Sequence, residues 1–342
     1  DNTRITFQLP AGKAASYGLN AANTIPAGGT YTTPPLRKGQ TFSIYPFRYS
    51  TLGADRLSGT RVSSTSPIAV SVKDDAILTP PSGQTTVGDQ IVPVSIAGEN
   101  YIVPEVQNPN HVYILATEDH PNMEVCIADG TNILSTVLNE GEQIMAMLPN
   151  GATFARITSR LNAGDPFKPI YVWQVVGTGN QKRGGALVPP IGCTGNAQLA
   201  FSRARGGENG YYFFLITEKQ NIDKFLVDGV KRDDLIPPVM GNRGFTELAG
   251  SGGWVAQITS SINANVLAVG QHLIENTGGI FHLGIINGFP SAQRGALFYG
   301  YYSDFGGLNV GATIAGTNSS VVRACYGCLL YTSPSPRDLN YY

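Results

Sequence analysis

Apolar and polar residues alternate along this chain in short runs. Examples are Thr41–Tyr45, Asn122–Ala128, Gln143–Leu148 and Trp254–Thr259, all rich in Val, Ile, Thr, Tyr, Phe or Met. A period of two puts one side of each run on a core and the other toward water, which predicts β-strands in antiparallel sheets. Gly, Pro, Asn or Asp interrupts the runs every 8–12 residues or so, as turn residues do. The best helical spacing lies in Glu218–Asp228, through Ile222, Phe225 and Leu226. The matching stretch one repeat earlier contains Pro121, so a loop followed by a strand is predicted there.

The runs recur. Arg61-Val62-Ser63-Ser64, Arg156-Ile157-Thr158-Ser159 and Gln257-Ile258-Thr259-Ser260 lie at intervals of roughly 100 residues, the scale of an internal repeat. Each precedes a second apolar strand, at Pro67–Val72, Pro169–Val176 and Val266–Val269. Ile114–Glu118 is echoed by Phe214–Glu218, Asp129-Gly130 by Asp228-Gly229, and Ile91–Val94 by Leu187–Pro190. Arg4–Leu9 aligns with Met123–Ala128, so the first repeat is expected to begin ahead of Asp1. About eight strands per repeat of roughly 100 residues predict an all-β fold of tandem antiparallel β-sandwiches, with paired propeller blades as the alternative. The expected units are residues 1–107, 108–205 and 206–308, followed by the start of another module over 309–327.

Charge removes whole classes of function. The 342 residues carry 23 Lys and Arg against 24 Asp and Glu, a net charge of −1, which argues against nucleic acid or an anionic membrane as partner. No run approaches the roughly 18 unbroken apolar residues of a membrane helix. With 41 Gly and 22 Pro, the chain is rich in turns.

The candidate chemistry is thin. His111, His120, His272 and His282 form no paired metal spacing, and no nucleophile elbow is present. Gly250–Gly253 reads as a turn, and Gly177–Gly184 lacks phosphate-loop spacing. Asp74-Asp75 and Asp233-Asp234 offer two carboxylates each, short of the six or so oxygens that calcium takes. Asp129-Gly130 and Asp228-Gly229 read as hairpin turns. No catalytic residue, metal site or cofactor is expected. Trp254, Tyr299, Tyr301 and Tyr302 are the candidate binding residues, because Tyr and Trp combine apolar area with a polar tip. Packing competes as their role, since alternate strand positions face opposite ways.

Residues Cys328–Asp338 match, codon for codon, one translated frame of a transposase-type sequencing adapter, so 328–342 are expected to carry no selected structure. That dissolves the apparent Cys325-x-x-Cys328 motif. Cys126, Cys193 and Cys325 remain, and their pairing stays open.

Gly59–Val70, Val92–Val103 and Gly184–Gly195 resemble the N-terminal domain of the IgG Fc-binding protein family. Phe281–Gly288 and Tyr299–Phe305 resemble its bacterial surface-protein form. The resemblance implies a secreted or cell-surface region of a large bacterial protein, holding an extracellular protein or a mucin-like glycan without transforming it. It does not carry Fc contacts to any residue here. It also implies a cysteine near Ala296 as partner for Cys193, where this chain has Ala296-Leu297-Phe298. The competing functions are a carbohydrate-active hydrolase, which needs a carboxylate pair about 5–10 Å apart in a cleft, and a spacer in a surface fibre.

Overall fold

A computed structural model describes residues 2–18, 20, 22–47, 56–78, 84–104, 110–119, 122–149, 154–159, 165–166, 168–176, 184–192, 194–203, 211–231, 245–261, 270–287 and 298–301. Apart from two short 3-10 turns, the regular structure of the described residues is β and its pairings are antiparallel. The first unit holds β1 (Ile5–Gln8), β2 (Ala15–Tyr17), β3 (Thr24–Ile25), β4 (Thr30–Thr32), β5 (Ile44–Pro46), β6 (Arg61–Ser64), β7 (Val70–Leu78) and β8 (Gln84–Ile91). The second holds β9 (Asn100–Pro104), β10 (Asn110–Ala116), β11 (Asn122–Ile127), β12 (Asn132–Val137), β13 (Gln143–Leu148), β14 (Phe154–Thr158), β15 (Ile170–Val176) and β16 (Gly184–Leu187). The third holds β17 (Gln198–Arg203), β18 (Tyr211–Glu218), β19 (Phe225–Val227), β20 (Val230–Lys231), β21 (Thr246–Glu247), β22 (Trp254–Ser261), β23 (Gly270–Asn276), β24 (Phe281–Asn287) and β25 (Phe298–Tyr301). A 3-10 turn at Lys219–Lys224 precedes β19, so the Glu218–Asp228 stretch is a tight turn and a strand rather than an α-helix.

The second and third units are sandwiches with one topology. In the second, β13-β10-β15-β16 forms an outer sheet and β12-β11-β14-β9 an inner one. In the third, β21-β22-β18-β24-β25 is the inner sheet and β17-β23-β19-β20 the outer one. Matching the strand orders pairs β9 with β17, β10 with β18, β11 with β19, β12 with β20, β13 with β22, β14 with β23, β15 with β24 and β16 with β25; β21 is an added edge. Each unit therefore starts on a strand that lies ahead of the expected edges at 107/108 and 205/206, because β9 pairs with β14 and β17 with β23.

This topology corrects three sequence landmarks. Gln257–Ser260 lies on β22, which pairs with β18, whereas Arg156–Thr158 lies on β14 in the opposite type of sheet. Ile114 faces the core of its own sandwich, while Phe214 faces away from its own. The residue equivalent to Ile114 is Leu215, one position on, and a slip of one residue reverses every side chain. Likewise Phe7, opposite Val62, matches Val125, opposite Ile157, so the Arg4–Leu9 echo is also displaced by one.

The core of the second sandwich is built from Val112, Ile114, Ala116, Ile170 and Val172 of the outer sheet against Tyr101, Val103, Met123, Val125 and Ile157 of the inner sheet. That of the third sets Leu215, Phe281, Leu283 and Ile285 against Leu199, Phe201, Phe225 and Ile274. A further cluster lies between the two sandwiches. Ile102, Phe154 and Ile191 meet Phe214, Ile216, Leu248, Trp254 and Ala256 there. Both inner sheets are therefore buried on both faces along β9, β14 and β18; β9 and β18 carry the apolar runs Tyr101–Val103 and Phe214–Ile216, and β14 keeps a partly buried Arg156 among buried Phe154, Ala155 and Ile157. Each such Ile, Leu or Phe contributes roughly 1.5–3 kcal/mol by leaving water. Gly284 makes the fit possible: a β-carbon there would fall inside the Phe214 ring.

The first unit is thinner. Its sheets are β4-β1-β6, β3-β2-β5 and the β7-β8 hairpin. Its core is Leu9, Ala15 and Ile25, with Tyr17, Tyr31, Ile44 and Leu57 only partly covered. Rings of Phe7, Tyr17, Tyr31 and Phe42 stack at centroid distances of 4.3–5.9 Å. It meets the second unit where β8 lies against β16, at an exposed Arg61–Glu140 ion pair of 2.5 Å, through Asp89, whose carboxylate accepts the Leu187 N–H at 2.9 Å, and through the Tyr171 hydroxyl, which donates to the Val92 carbonyl at 2.5 Å.

Candidate interaction surface

The residues named from sequence go to different places. Trp254 is only 6% exposed, packed between the sandwiches with its ring 5.8 Å from His282, so it does not belong to a free recognition surface. Tyr299 and Tyr301 lie on β25, opposite Ile286 and Gly284; their side chains lie outside the described set, as do Tyr302, Cys193 and Cys325. The expectations for 309–327 and 328–342 also lie outside the described residues. Cys126 is a buried free thiol, pushed up by burial, with an Arg156 guanidinium nitrogen 4.0 Å from its sulfur.

The polar candidates serve structure. Asp228 sits at φ 51 and Gly229 at φ 79, the left-handed pair of a two-residue hairpin between β19 and β20. The Asp228 carboxylate accepts the Leu273 N–H at 2.8 Å and pairs with His272 Nδ1 at 2.8 Å, contacts that hold its pKa below the usual value against the opposing effect of burial. Asp129-Gly130 makes a longer hairpin, in which Gly130 N–H donates to Ile127 at 2.9 Å and the Asp129 carboxylate accepts Thr131 N–H at 2.8 Å. Ser251 accepts the Trp254 N–H and donates to the Trp254 carbonyl, each at 3.1 Å, which closes the Gly250–Gly253 turn. His111 and His282 are buried within sheets, and His120 is outside the described residues. Among the described residues no group of three His, Cys, Asp or Glu could hold a metal ion.

An apolar stripe crosses the outward face of the second sandwich's outer sheet. Met145 of β13 lies opposite Tyr113 of β10, Tyr113 opposite Trp173 of β15, and Trp173 opposite Leu187 of β16. One step along the strands, Met147 lies opposite His111 and His111 opposite Val175. Val175 is fully buried, with Tyr113 and Trp173 partly covered against it. The methionines at the edge are open: Met145 is 42% and Met147 60% exposed. Gly185 leaves the space that the Trp173 indole fills, since a β-carbon there would stand 2.8 Å from Nε1. That buried Nε1–H has no hydrogen-bond acceptor among the described residues.

Sequence reading missed this stripe because Met145, Tyr113 and Trp173 are far apart in the chain and become neighbours only through strand order. Alternation within Gln143–Leu148 was the available signal: it places Met145 and Met147 on one side and Ala146 and Leu148 on the buried side. The stripe has a counterpart. On β18 and β24 of the third sandwich the equivalent face carries Phe214, Ile216 and Gly284, and there it is covered by the second sandwich. The fold thus already uses this face type for sheet-on-sheet docking.

The family model described as IgGFc binding protein matches residues 1–281. No curated protein matches the chain. Among solved structures, a serine-rich repeat protein of Streptococcus agalactiae is similar at 9% identity over 64% of this chain and 87% of that one, with a TM-score of 0.13, too low to carry an argument.

Proposed function

Since this chain belongs to the IgGFc-binding family, we propose that it is a non-enzymatic interaction region of a secreted or cell-surface protein, which docks an extracellular protein through the Met145–Tyr113–Trp173 stripe. The observation that carries the reading is the pair of exposed methionines at the edge of an otherwise complete sandwich. A flexible, polarizable thioether suits a surface that must fit a partner's apolar side chains, and half-covered Tyr and Trp beside it supply rigid contact area. The same face, one unit on, is buried against a neighbouring sheet. Tyr299 and Tyr301 belong to the reading as secondary candidates. The partner class is an extracellular protein, with mucin-like glycan as the second class to be screened.

Binding of the chain to immobilised IgG Fc, other serum and mucosal proteins, and a mucin glycan array tests this. A double Met145→Glu, Met147→Glu variant is expected to lose on the order of tenfold in affinity for the protein ligand, with its thermal unfolding unchanged. Binding that survives the double substitution, or capture by glycans alone, overturns the assignment.

A further inference from the structure

Among the described residues, two strands of the first unit are paired on one side only at places where the other two units pair the matching strand on both sides. Among the described residues β6 pairs with β1 alone, and β7 pairs with β8 alone. Their counterparts have second neighbours: β14, which matches β6, also pairs with β9, and β15, which matches β7, also pairs with β10. In the third unit β17 and β18 fill the same two places, beside β23 and β24. In both complete units the two strands are consecutive and immediately precede the β11- or β19-type strand.

Side-chain exposure records the same vacancy. Ile68, Val70 and Val72 of the first unit align with Ile170, Val172 and Gln174. The last three are 0% exposed, because Ala116, Ile114 and Val112 of β10 lie opposite them. Ile68 is 36% exposed, Val72 41%, and Val70 is partly open. Gln174 donates to the Pro104 carbonyl of β9 at 2.5 Å; Val72 occupies the corresponding position in the first unit. Val62 is partly open, whereas its counterpart Ile157 is fully buried opposite Tyr101. An edge that presents free N–H and C=O groups beside exposed β-branched side chains is a template for strand addition.

We propose that β6 and β7 form a strand-accepting slot, filled by two consecutive extended strands that precede Ile5 in the same polypeptide. The occupant has the chemistry of β9 and β10: alternating Val, Ile, Tyr or Ala on the side that meets Val62, Ile68 and Val70. The repeated order of strands argues for this source, because each complete unit fills its slot from the chain just ahead of it.

The test grafts a second copy of residues 100–116 ahead of Asp1 on the full chain and follows amide hydrogen exchange at Arg61–Ser64 and Val70–Lys73. Exchange at both edges is expected to slow by about tenfold or more. A control graft with the equivalents of Val112, Ile114 and Ala116 changed to Ser is expected to give no slowing. Unchanged exchange with the apolar graft overturns the proposal, as does equal slowing with the Ser graft. Slow edge exchange in the ungrafted chain together with a dimeric mass also overturns it, because a second copy would then occupy the slot.

Discussion

His282 is a buried imidazole without a charge partner. It lies opposite Ile216 on the seam between the sandwiches, beside Trp254. Burial pushes its pKa down to about 3, opposed only in part by the Thr194 backbone. The unfolded chain takes up a proton near pH 6.5 and the folded chain only near 3. Stability from this residue is therefore complete above about pH 6.5 and is lost as the pH falls toward 3. Between pH 7.5 and 4.5 the wild-type chain is expected to lose about 2–3 kcal/mol more unfolding free energy than a His282→Phe variant, measured by urea titration. Equal losses in the two proteins would show that other groups govern acid stability.

At the scale of the element, the hairpins show how one dipeptide serves two geometries. Asp228 carries a positive φ and hydrogen bonds to the neighbouring strand at Leu273 and His272; Asp129 carries an ordinary φ and bonds only within its own loop, to Thr131. Asp228→Ala keeps the backbone strain and removes both contacts, and is expected to cost about 1–3 kcal/mol. Asp228→Asn should cost less, because Asn tolerates this conformation and still accepts a hydrogen bond. Asp129→Ala should fall within about 1 kcal/mol, as judged by denaturant midpoints. The same elements show what could be read beforehand. Strand identity, turn positions and the β class followed from alternation and from Gly, Asp and Asn punctuation. Register did not, because β18 is apolar on both faces: Phe214 and Ile216 enter one core and Leu215 another. Where both sides are dry, hydrophobic pattern cannot tell a strand from itself shifted by one residue. Trp254 was legible as an aromatic but not as buried, since its cover comes from Ile102 and Phe154 of the preceding sandwich.

At the scale of the molecule, the second and third sandwiches share a core and should behave as one folding unit. Phe154 is fully buried between them. Phe154→Ala is expected to destabilise by about 3–5 kcal/mol and to lower the melting of both sandwiches together in calorimetry. A split transition in which only one sandwich shifts would refute the coupling. The first unit is joined differently, through the exposed Arg61–Glu140 pair, the part-buried Asp89–Leu187 bond and the Tyr171 hydroxyl on the Val92 carbonyl, with β8 lying against β16. The exposed ion pair contributes little, about 0–1 kcal/mol, and the remaining contacts are hydrogen bonds at the rim rather than a shared apolar core. A pulling force applied along the polypeptide would therefore meet unequal resistance. Extension would open this polar junction before the doubly buried sheets beyond it, so the assembly would act as a more compliant element in series with a rigid strut.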